Sequence, residues 1–293
     1  MPTAITSSSS VADSLPTMVA SARKIREYGR IMSNLVDSRT LGVGMGLNWN
    51  EVAYAKLTAQ AISETQEYDN PQEITDSIIT ITPTVIGIET IVTDRTKLRI
   101  SQNALGEQAG LAQNAIERKR DVDLLSAFSG ATTTLAGTGT TLTTGHISAA
   151  GVRVQGNTTE PWDGPRVAVL HSFQVKDLFD EAVSGFGTYP FPTGLSQEIF
   201  QNAWKGPIGG VDVVIDDNIT IDGTPDARGA VFARGANGAL VHVRGRSPWM
   251  AVERKQIGGG ADAIFHYDEY ATAERGGGVW MFGLLSDATV PTS

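Results

Sequence analysis

The sequence contains no cysteine, and this absence excludes several kinds of cross-link and of site. A chain without cysteine has no disulfide, no thiolate zinc site and no cysteine nucleophile. Its stability must therefore come from packing or from contacts with other chains. With 293 residues the chain is long enough to bury a sizeable core, either as one elaborated domain or as two.

Long hydrophobic runs are missing as well. The longest apolar stretch, "VWMFGLL" at residues 279–285, has about a third of the roughly 20 residues that a membrane-spanning helix needs. The N-terminus has neither the basic nor the apolar region of a secretory signal. The sequence therefore predicts a flexible polar tail and a cytosolic, or at least non-membrane, protein.

Positive charge is scarce, with 23 lysines and arginines against 32 aspartates and glutamates and a net charge of −9. This balance repels phosphate over the molecule as a whole, so any affinity for nucleic acid would need a local basic patch, and none dominates. Charged residues make up 19% of the chain and glycine is frequent, with 32 residues. This composition favours a strand-rich protein with many turns.

The sequence also lacks the common catalytic and phosphate-binding motifs, among them G-x-x-x-x-G-K-[ST], H-E-x-x-H, G-x-S-x-G and G-x-G-x-x-G. Its histidines are widely separated, and the aspartates near residue 216 lack the alternating order of a calcium loop, which leaves at most a weak structural cation. We therefore predict no catalytic, cofactor-binding or metal-binding residue and no cofactor.

The first half of the chain shows four successive patterns. Residues 17–38 have the spacing of an amphipathic helix, and the glycine-rich "LGVGMGLNW" after them predicts a hinge. Residues 54–64 and 74–82 predict two strands of a long hairpin with an acidic tip, and strand character continues from Thr84. Residues 101–128 then predict a helix about 40 Å long.

The second half predicts an α/β unit followed by strands. Residues 166–171 form its first strand, Ser172 caps the following helix, and "VDVVIDD" from Val211 is another strand. The last two segments, "AIFHYDEYATAE" and "VWMFGLL", are expected to pair as a hairpin across "RGGG".

The long helix carries the charged run "ERKRDVD", for which three interpretations compete: a nucleic-acid-binding helix, a catalytic or metal-binding cluster, and a polar face. Acidic and basic residues of the run lie three or four positions apart, as Glu117–Arg120, Arg118–Asp121 and Lys119–Asp123. This internal neutralisation argues against nucleic acid, and the adjacent cations argue against carboxyls tuned for catalysis. A face that pairs with a neighbouring chain or faces water remains.

The order of these elements resembles the major capsid protein of tailed bacteriophages. The stretches that carry the resemblance are "EITDSIITITPTVIGIETIVTDRTKLRIS", "LGEQAGLAQNAIERKRDVDLLSAF", "RVAVLHSFQVKDLFDEAV", "GPIGGVDVVIDDNI" and "GAVFARGANGALVHVRG". The resemblance implies an α+β tailed-phage capsid fold. Its expected parts are an N-terminal arm (1–50), an E-loop hairpin (51–82), a P-domain strand and spine helix (83–143), an α/β A-domain (144–235) and closing β segments that return to the P-domain (236–293).

The same resemblance implies a structural protein of the virion capsid, assembled in the host cytoplasm. It would form hexamers and pentamers of an icosahedral head around double-stranded DNA, contacting the packaged DNA non-specifically. Expected partners are further copies of the chain, a portal and a separate scaffolding protein, because the sequence has no room for a scaffolding segment before the hairpin. Covalent cross-linking through the hairpin is not expected, since its only lysine, Lys56, lies near the base.

The resemblance also assigns candidate assembly residues to three segments. They are the cations of the arm (Arg23, Lys24, Arg26, Arg30), the acids of the hairpin tip (Glu64, Glu67, Asp69, Glu73) and the charged run of the spine helix (Glu117, Arg118, Lys119, Arg120, Asp121, Asp123). Reversing the charge of Asp121 and Asp123 is expected to impair particle formation while the subunit stays folded.

Two other functions remain open from the sequence. An encapsulin-type compartment shell shares the capsid fold but encloses protein cargo, so the contents of purified particles would distinguish it. A soluble α/β enzyme with an unrecognised site at His171, Ser172 and Asp177 is the alternative from a different class. A monomer or small oligomer with a compact, ordered hairpin would favour the enzyme.

Overall fold

A computed structural model describes residues 5–6, 31–62, 64, 71–99, 102–185 and 207–292 of the chain. The first half contributes β1 (Ile5–Thr6), β2 (Asp37–Thr40), β3 (Trp49–Tyr54), β4 (Asp76–Ile81), β5 (Thr84–Thr93), α1 (Asp94–Arg99), α2 (Gln102–Ser126) and β6 (Thr134–Ala136). The second half contributes α3 (Thr144–Gln155), β7 (Arg166–Leu170), α4 (Ser172–Gly185), β8 (Pro207–Ile208), β9 (Val211–Ile215), β10 (Asp226–Ala233), β11 (Leu240–Lys255), β12 (Ala261–Glu274) and β13 (Met281–Asp287). The fold is α+β.

A five-stranded sheet, in the order β1-β5-β12-β11-β2, supports the long helix. Its centre is the strand β12, which pairs antiparallel with β11 on one side and with β5 on the other. The short edge strands β1 and β2 run parallel to their neighbours. The helix α2 contacts β12 and β5, so its side chains meet residues that are distant in sequence.

A second sheet has six strands, in the order β6-β13-β10-β7-β9-β8, and most of the hydrophobic core packs against it. The four residues Val167, Ala168, Val169 and Leu170 of β7 are completely buried, because the strand is covered on both faces. This explains why the strand is a continuous apolar run rather than an alternating one. The helix α3 packs closely against β9 of this sheet, since a Cβ atom on Gly151 would lie 2.4 Å from Val211 Cγ2.

The structure confirms the long helix, the strand from Thr84 and the returning hairpin strand, but it corrects the segments before them. Most of the helix predicted over residues 17–38 lies outside the described residues, and its described end is a short 3-10 helix (Met32–Asn34) followed by the edge strand β2. The outgoing hairpin strand is β3, paired from Trp49 with Ile81 to Tyr54 with Asp76, rather than residues 54–64. Pairing decided both differences: β2 pairs with the distant strand β11, and β3 pairs with β4, the next strand along the chain.

The hairpin predicted across "RGGG" is wrong, because β12 and β13 belong to different sheets. Gly276, Gly277 and Gly278 have φ values of 71°, 61° and 84°, in the left-handed region that favours glycine. These residues turn the chain from one sheet into the other. The apolar β13 is then buried between β10 and β6, where a run of this kind has partners on both sides.

The start of α4 also differs from the prediction, since His171 rather than Ser172 caps the helix. The Nδ1 atom of His171 accepts a hydrogen bond from Phe173 N at 3.1 Å, and its carbonyl accepts one from Val175 N at 3.2 Å. The backbone N–H of Ser172 donates instead to Asp217 Oδ1 at 2.9 Å. Among the helices that the structure describes, none combines the length and the apolarity needed to cross a bilayer.

Candidate assembly surfaces

The charged run of α2 divides into an inward and an outward part. Arg120 lies on the same helical stripe as the buried residues Ile116 and Leu124, at intervals of four residues. Its guanidinium forms an ion pair with Asp268 of β12, and both side chains are buried. The sequence predicted neutralisation of Arg120 by Glu117 within the helix, and the structure adds a partner from the facing sheet, which the sequence did not indicate.

Asp121 is also buried, and it joins three segments of the chain. Its Oδ1 atom accepts hydrogen bonds from Ile31 N at 3.0 Å and Met32 N at 2.9 Å. Its Oδ2 atom accepts one from Asn218 Nδ2 at 2.9 Å. The predicted pair with Arg118 is replaced by these contacts, so a lysine at Asp121 would disrupt the subunit itself, contrary to the expected effect of the charge reversal.

Asp123 has one inward and one outward contact. Its Oδ1 atom forms the predicted ion pair with Lys119, which the structure confirms. Its Oδ2 atom accepts a hydrogen bond from the hydroxyl of Tyr270 at 2.8 Å. Burial, together with this hydrogen bond, raises the pKa of Tyr270 well above its usual value.

The outward part of the run consists of Glu117, Arg118 and Lys119. Arg118 and Lys119 are exposed, while Glu117 is half-buried and accepts a hydrogen bond from Gln113 Nε2 at 2.8 Å. These three side chains can meet another chain, whereas Arg120 and Asp121 are already enclosed by their own subunit. The sequence could not separate the two groups because the inward partners lie about 90 to 150 positions away.

The hairpin of β3 and β4 has one anchored face and one open face. On the anchored face, Ile81 packs against Val241 and Val243 of β11. Near the same end, the Glu51 carboxylate accepts hydrogen bonds from Arg275 Nε at 2.9 Å and from its terminal nitrogen at 2.8 Å. These contacts fix the base of the hairpin to the five-stranded sheet.

The open face of the hairpin exposes apolar side chains. Val52 and Ile78 are cross-strand partners and are 45% and 61% exposed, and Tyr54 beside them is 73% exposed. Beyond the paired strands, the exposed apolar side chains continue with Leu57, Ile62 and Ile74. A soluble monomer rarely leaves such a row in water, and rows of this kind mark sites of contact with another chain.

The tip and the arm can be compared with the predictions only in part. Glu64 and Glu73 are exposed on the hairpin, as an interface role requires. Glu67, Asp69 and the cations Arg23, Lys24, Arg26 and Arg30 lie outside the described residues. The glycine-rich segment after β2, for which the sequence predicted only a hinge, exposes further apolar side chains at Val43, Met45 and Leu47.

The alternative enzyme site is not assembled. The Nδ1 atom of His171 is used by the helix cap, and its Nε2 atom lies 3.8 Å from Asp217 Oδ1. Asp177 accepts a hydrogen bond from Leu142 N at 3.4 Å instead. Burial lowers the pKa of His171 and raises that of Asp177, and each of these groups is engaged by a different backbone N–H. Within the described ranges, no three acidic or imidazole groups are placed to hold a metal ion.

Comparison with known proteins gives matches of structure alone. No family model and no curated protein matches the sequence. A chain from Mycobacterium phage Che8 superposes with a TM-score of 0.70 at 14% identity, covering 92% of this chain and 96% of that one. The capsid asymmetric unit of cyanophage Pam1 gives a TM-score of 0.70 at 10% identity, with coverages of 96% and 98%.

An encapsulin is also similar. The SrpI encapsulin of Synechococcus elongatus PCC 7942 gives a TM-score of 0.60 at 12% identity, covering 93% of this chain and 95% of that one. At such identities the likeness establishes the fold, which this chain shares with phage capsid subunits over nearly its whole length.

Proposed function

We propose that this chain is the major capsid protein of a tailed phage, which assembles into hexamers and pentamers of an icosahedral head around double-stranded DNA. The observation that carries the proposal is the hairpin of β3 and β4, whose one face is anchored while the other exposes apolar side chains. A subunit that is covered by neighbouring copies resolves this exposure. The shared capsid fold supports the same conclusion.

The energetics favour assembly through many modest contacts. Complete burial of a side chain such as Val52 or Ile78 contributes about 1.5–3 kcal/mol relative to full exposure. One such contact is weak, but each subunit of a closed shell makes several at once, and multivalency converts them into a stable particle. This agrees with a chain that has no disulfide to stabilise it.

We assign the parts of the subunit from the two sheets. Residues 1–50 are the arm, 51–82 the E-loop, 83–143 with most of 236–293 the P-domain, and 144–235 the A-domain. The strands β5, β11 and β12 lie in the five-stranded sheet, which supports their assignment to the P-domain. The strands β7 to β10 lie in the six-stranded sheet, which supports their assignment to the A-domain. The strand β13 lies with the A-domain strands, so the closing segment crosses between the two.

The proposed partners follow from the same function. A portal and a separate scaffolding protein would act during assembly in the host cytoplasm, and the packaged DNA would be contacted without sequence preference. A net charge of −9 suits a container that encloses DNA without binding it tightly.

Expression of the full chain tests the proposal. Electron microscopy and sedimentation velocity should find closed shells or capsomers, and particles from infected cells should contain nucleic acid. A stable monomer under a wide range of salt and protein concentrations, with and without a co-expressed scaffolding protein, would contradict it.

The open face of the hairpin provides a sharper test. The double change Val52→Asp and Ile78→Asp should abolish shell formation, because it places charges where a neighbour must bury apolar surface. The thermal midpoint should change by less than about 4 °C, since both side chains are already exposed in the subunit. Sedimentation velocity measures the first effect and circular dichroism the second.

A matched control is available on α3. Val152 is also exposed, so Val152→Asp introduces the same charge away from the hairpin and should leave assembly intact. Normal shells from the hairpin variant would show that its open face is not an interface.

An encapsulin-type compartment shell is the second candidate, favoured by the match to the SrpI encapsulin. Purified particles decide between the two. An absorbance spectrum and nuclease sensitivity typical of packaged DNA support the phage head, whereas a co-purifying cargo protein supports the compartment.

A further inference from the structure

A second carboxyl group lies buried beside Asp121, in the loop after β9. Asp216 is completely buried, and its Oδ1 atom accepts a hydrogen bond from Asn218 N at 3.0 Å. Its Oδ2 atom has no donor among the described residues. Asn218 connects the two carboxyl groups, because its backbone N–H donates to Asp216 and its Nδ2 atom donates to Asp121 Oδ2 at 2.9 Å, so the two side chains lie side by side. Two carboxylates cannot bond to each other without a proton between them.

The donors around Asp121 show which member of the pair carries the proton. Both oxygens of Asp121 already accept hydrogen bonds from N–H groups, three in total. A carboxylate has about four lone-pair sites, so one remains for a donor from Asp216. Asp216 has an oxygen without a partner, which a proton converts into that donor. This arrangement leaves no buried polar atom of the pair unsatisfied.

We propose that Asp216 is protonated in the folded subunit and donates a hydrogen bond to Asp121. This one proton holds residues 31–34 and the loop after β9 against the helix α2. Residues 31–34 contain the backbone N–H groups that Asp121 binds, those of Ile31 and Met32. Loss of the proton leaves two buried negative charges side by side. The attachment of this segment therefore depends on pH, independently of whether the chain forms a shell.

The cations near the two carboxyl groups are paired with other residues or exposed. A proton is therefore what removes the second negative charge of the pair. On α2, Arg120 is paired with Asp268 and Lys119 with Asp123, while Arg118 is exposed. Two further titratable groups lie near the pair: Asp217 in the same loop accepts a hydrogen bond from Ser172 N, and His171, which follows β7, has its Nε2 atom 3.8 Å from Asp217 Oδ1. Residues 31–34 contain no titratable side chain. Burial, with the adjacent Asp121, raises the pKa of Asp216 to about 7.

The direction of the pH effect follows from this shift. The folded form binds the proton up to about pH 7, whereas the unfolded form releases it near the ordinary value of 3.8. The stabilisation is therefore greatest in acid and is lost as pH rises through about 7. Between pH 6 and pH 8, the protection of the attached segment should fall by about ten-fold.

Hydrogen exchange of the full chain measures this effect. The protection factors of peptides that contain Ile31 and Met32, corrected for the intrinsic exchange rate, are compared at pH 6 and pH 8. The wild type should lose protection about ten-fold, and Asp216→Asn should lose none, because its amide donates to Asp121 at every pH. Asp212→Asn, on the exposed side of β9, is the matched control and should behave as the wild type.

If Asp216→Asn does not fold, measurements on the wild type still test the proposal. Carbon-13 NMR of the wild type should find an aspartate carboxyl that titrates near pH 7, against an ordinary value of 3.8. Unchanged protection in the wild type between pH 6 and pH 8 would overturn the proposal. Recovery of protection at pH 8 on addition of calcium, in the wild type but not in Asp216→Asn, would also overturn it, because the pair would then be a cation site.

Discussion

Arg120→Ala is expected to destabilise the subunit by about 3–5 kcal/mol. The change removes the partner of Asp268, which is completely buried in β12 and would keep an uncompensated charge. Burying an unpaired carboxylate costs far more than losing a surface pair. Urea denaturation of the full chain, followed by circular dichroism, measures the loss.

Lys119→Ala is the matched control, since it removes a neighbouring cation from the same helix. The Lys119–Asp123 pair is largely exposed, so its loss should cost less than about 1 kcal/mol. A rescue variant separates the charge from the packing: Arg120→Met with Asp268→Leu replaces both partners by apolar groups and should recover most of the stability. Equal effects of Arg120→Ala and Lys119→Ala would contradict the assignment of Arg120 to the core.

Arg275→Ala is expected to destabilise the subunit by about 3–5 kcal/mol and to release the base of the hairpin. Arg275 is buried, and it binds Asp37 of β2 at 2.8 Å, Glu51 of β3 at 2.8 Å and the carbonyl of Gly238 at 3.2 Å. A single guanidinium at the end of β12 thus joins the edge strand β2, the hairpin strand β3 and the turn before β11.

The same change should alter the acid stability of the subunit. Burial alone would raise the pKa of Asp37, but hydrogen bonds from Asn237 N and from Arg275 hold it below the ordinary value of 3.8. A lowered pKa stabilises the folded state above about pH 4, and that stability is lost as pH falls below it. Arg275→Ala should therefore have its greatest effect at neutral pH and a smaller one in acid.

Hydrogen exchange over β3 and β4 measures the release of the hairpin. Arg275→Lys keeps the charge but lacks the planar fork that binds two carboxylates, so its effect should be intermediate. Arg254→Ala is the control at an exposed site of β11, where solvent screens its pairs with Asp94 and Asp262, so it should leave the protection of the hairpin unchanged. Unchanged hairpin protection in Arg275→Ala would refute the anchoring role.

Several elements could be predicted because their signals are local. The periodicity of α2, the alternation of β4 and β5 and the apolar run of β7 all depend on residues within a few positions of one another. The sequence located these elements and, through their order, the capsid fold. It also recognised the pair Lys119–Asp123, since residues four apart on a helix are neighbours.

The contacts that could not be predicted join residues that are far apart in the sequence. The structure assigned Arg120 to Asp268, Asp121 to the backbone of residues 31–32 and Arg275 to Glu51, at separations of about 90 to 220 positions. The placement of β13 in the second sheet had the same cause.

The sequence by itself determined the type of most elements, the absence of thiol chemistry and an acidic, weakly charged surface. Only the tertiary structure decided which charges are enclosed and which can meet another chain. The physical reason is that a helix or a hairpin specifies two faces by its own periodicity, whereas the choice of the buried face requires the sheet that packs against it.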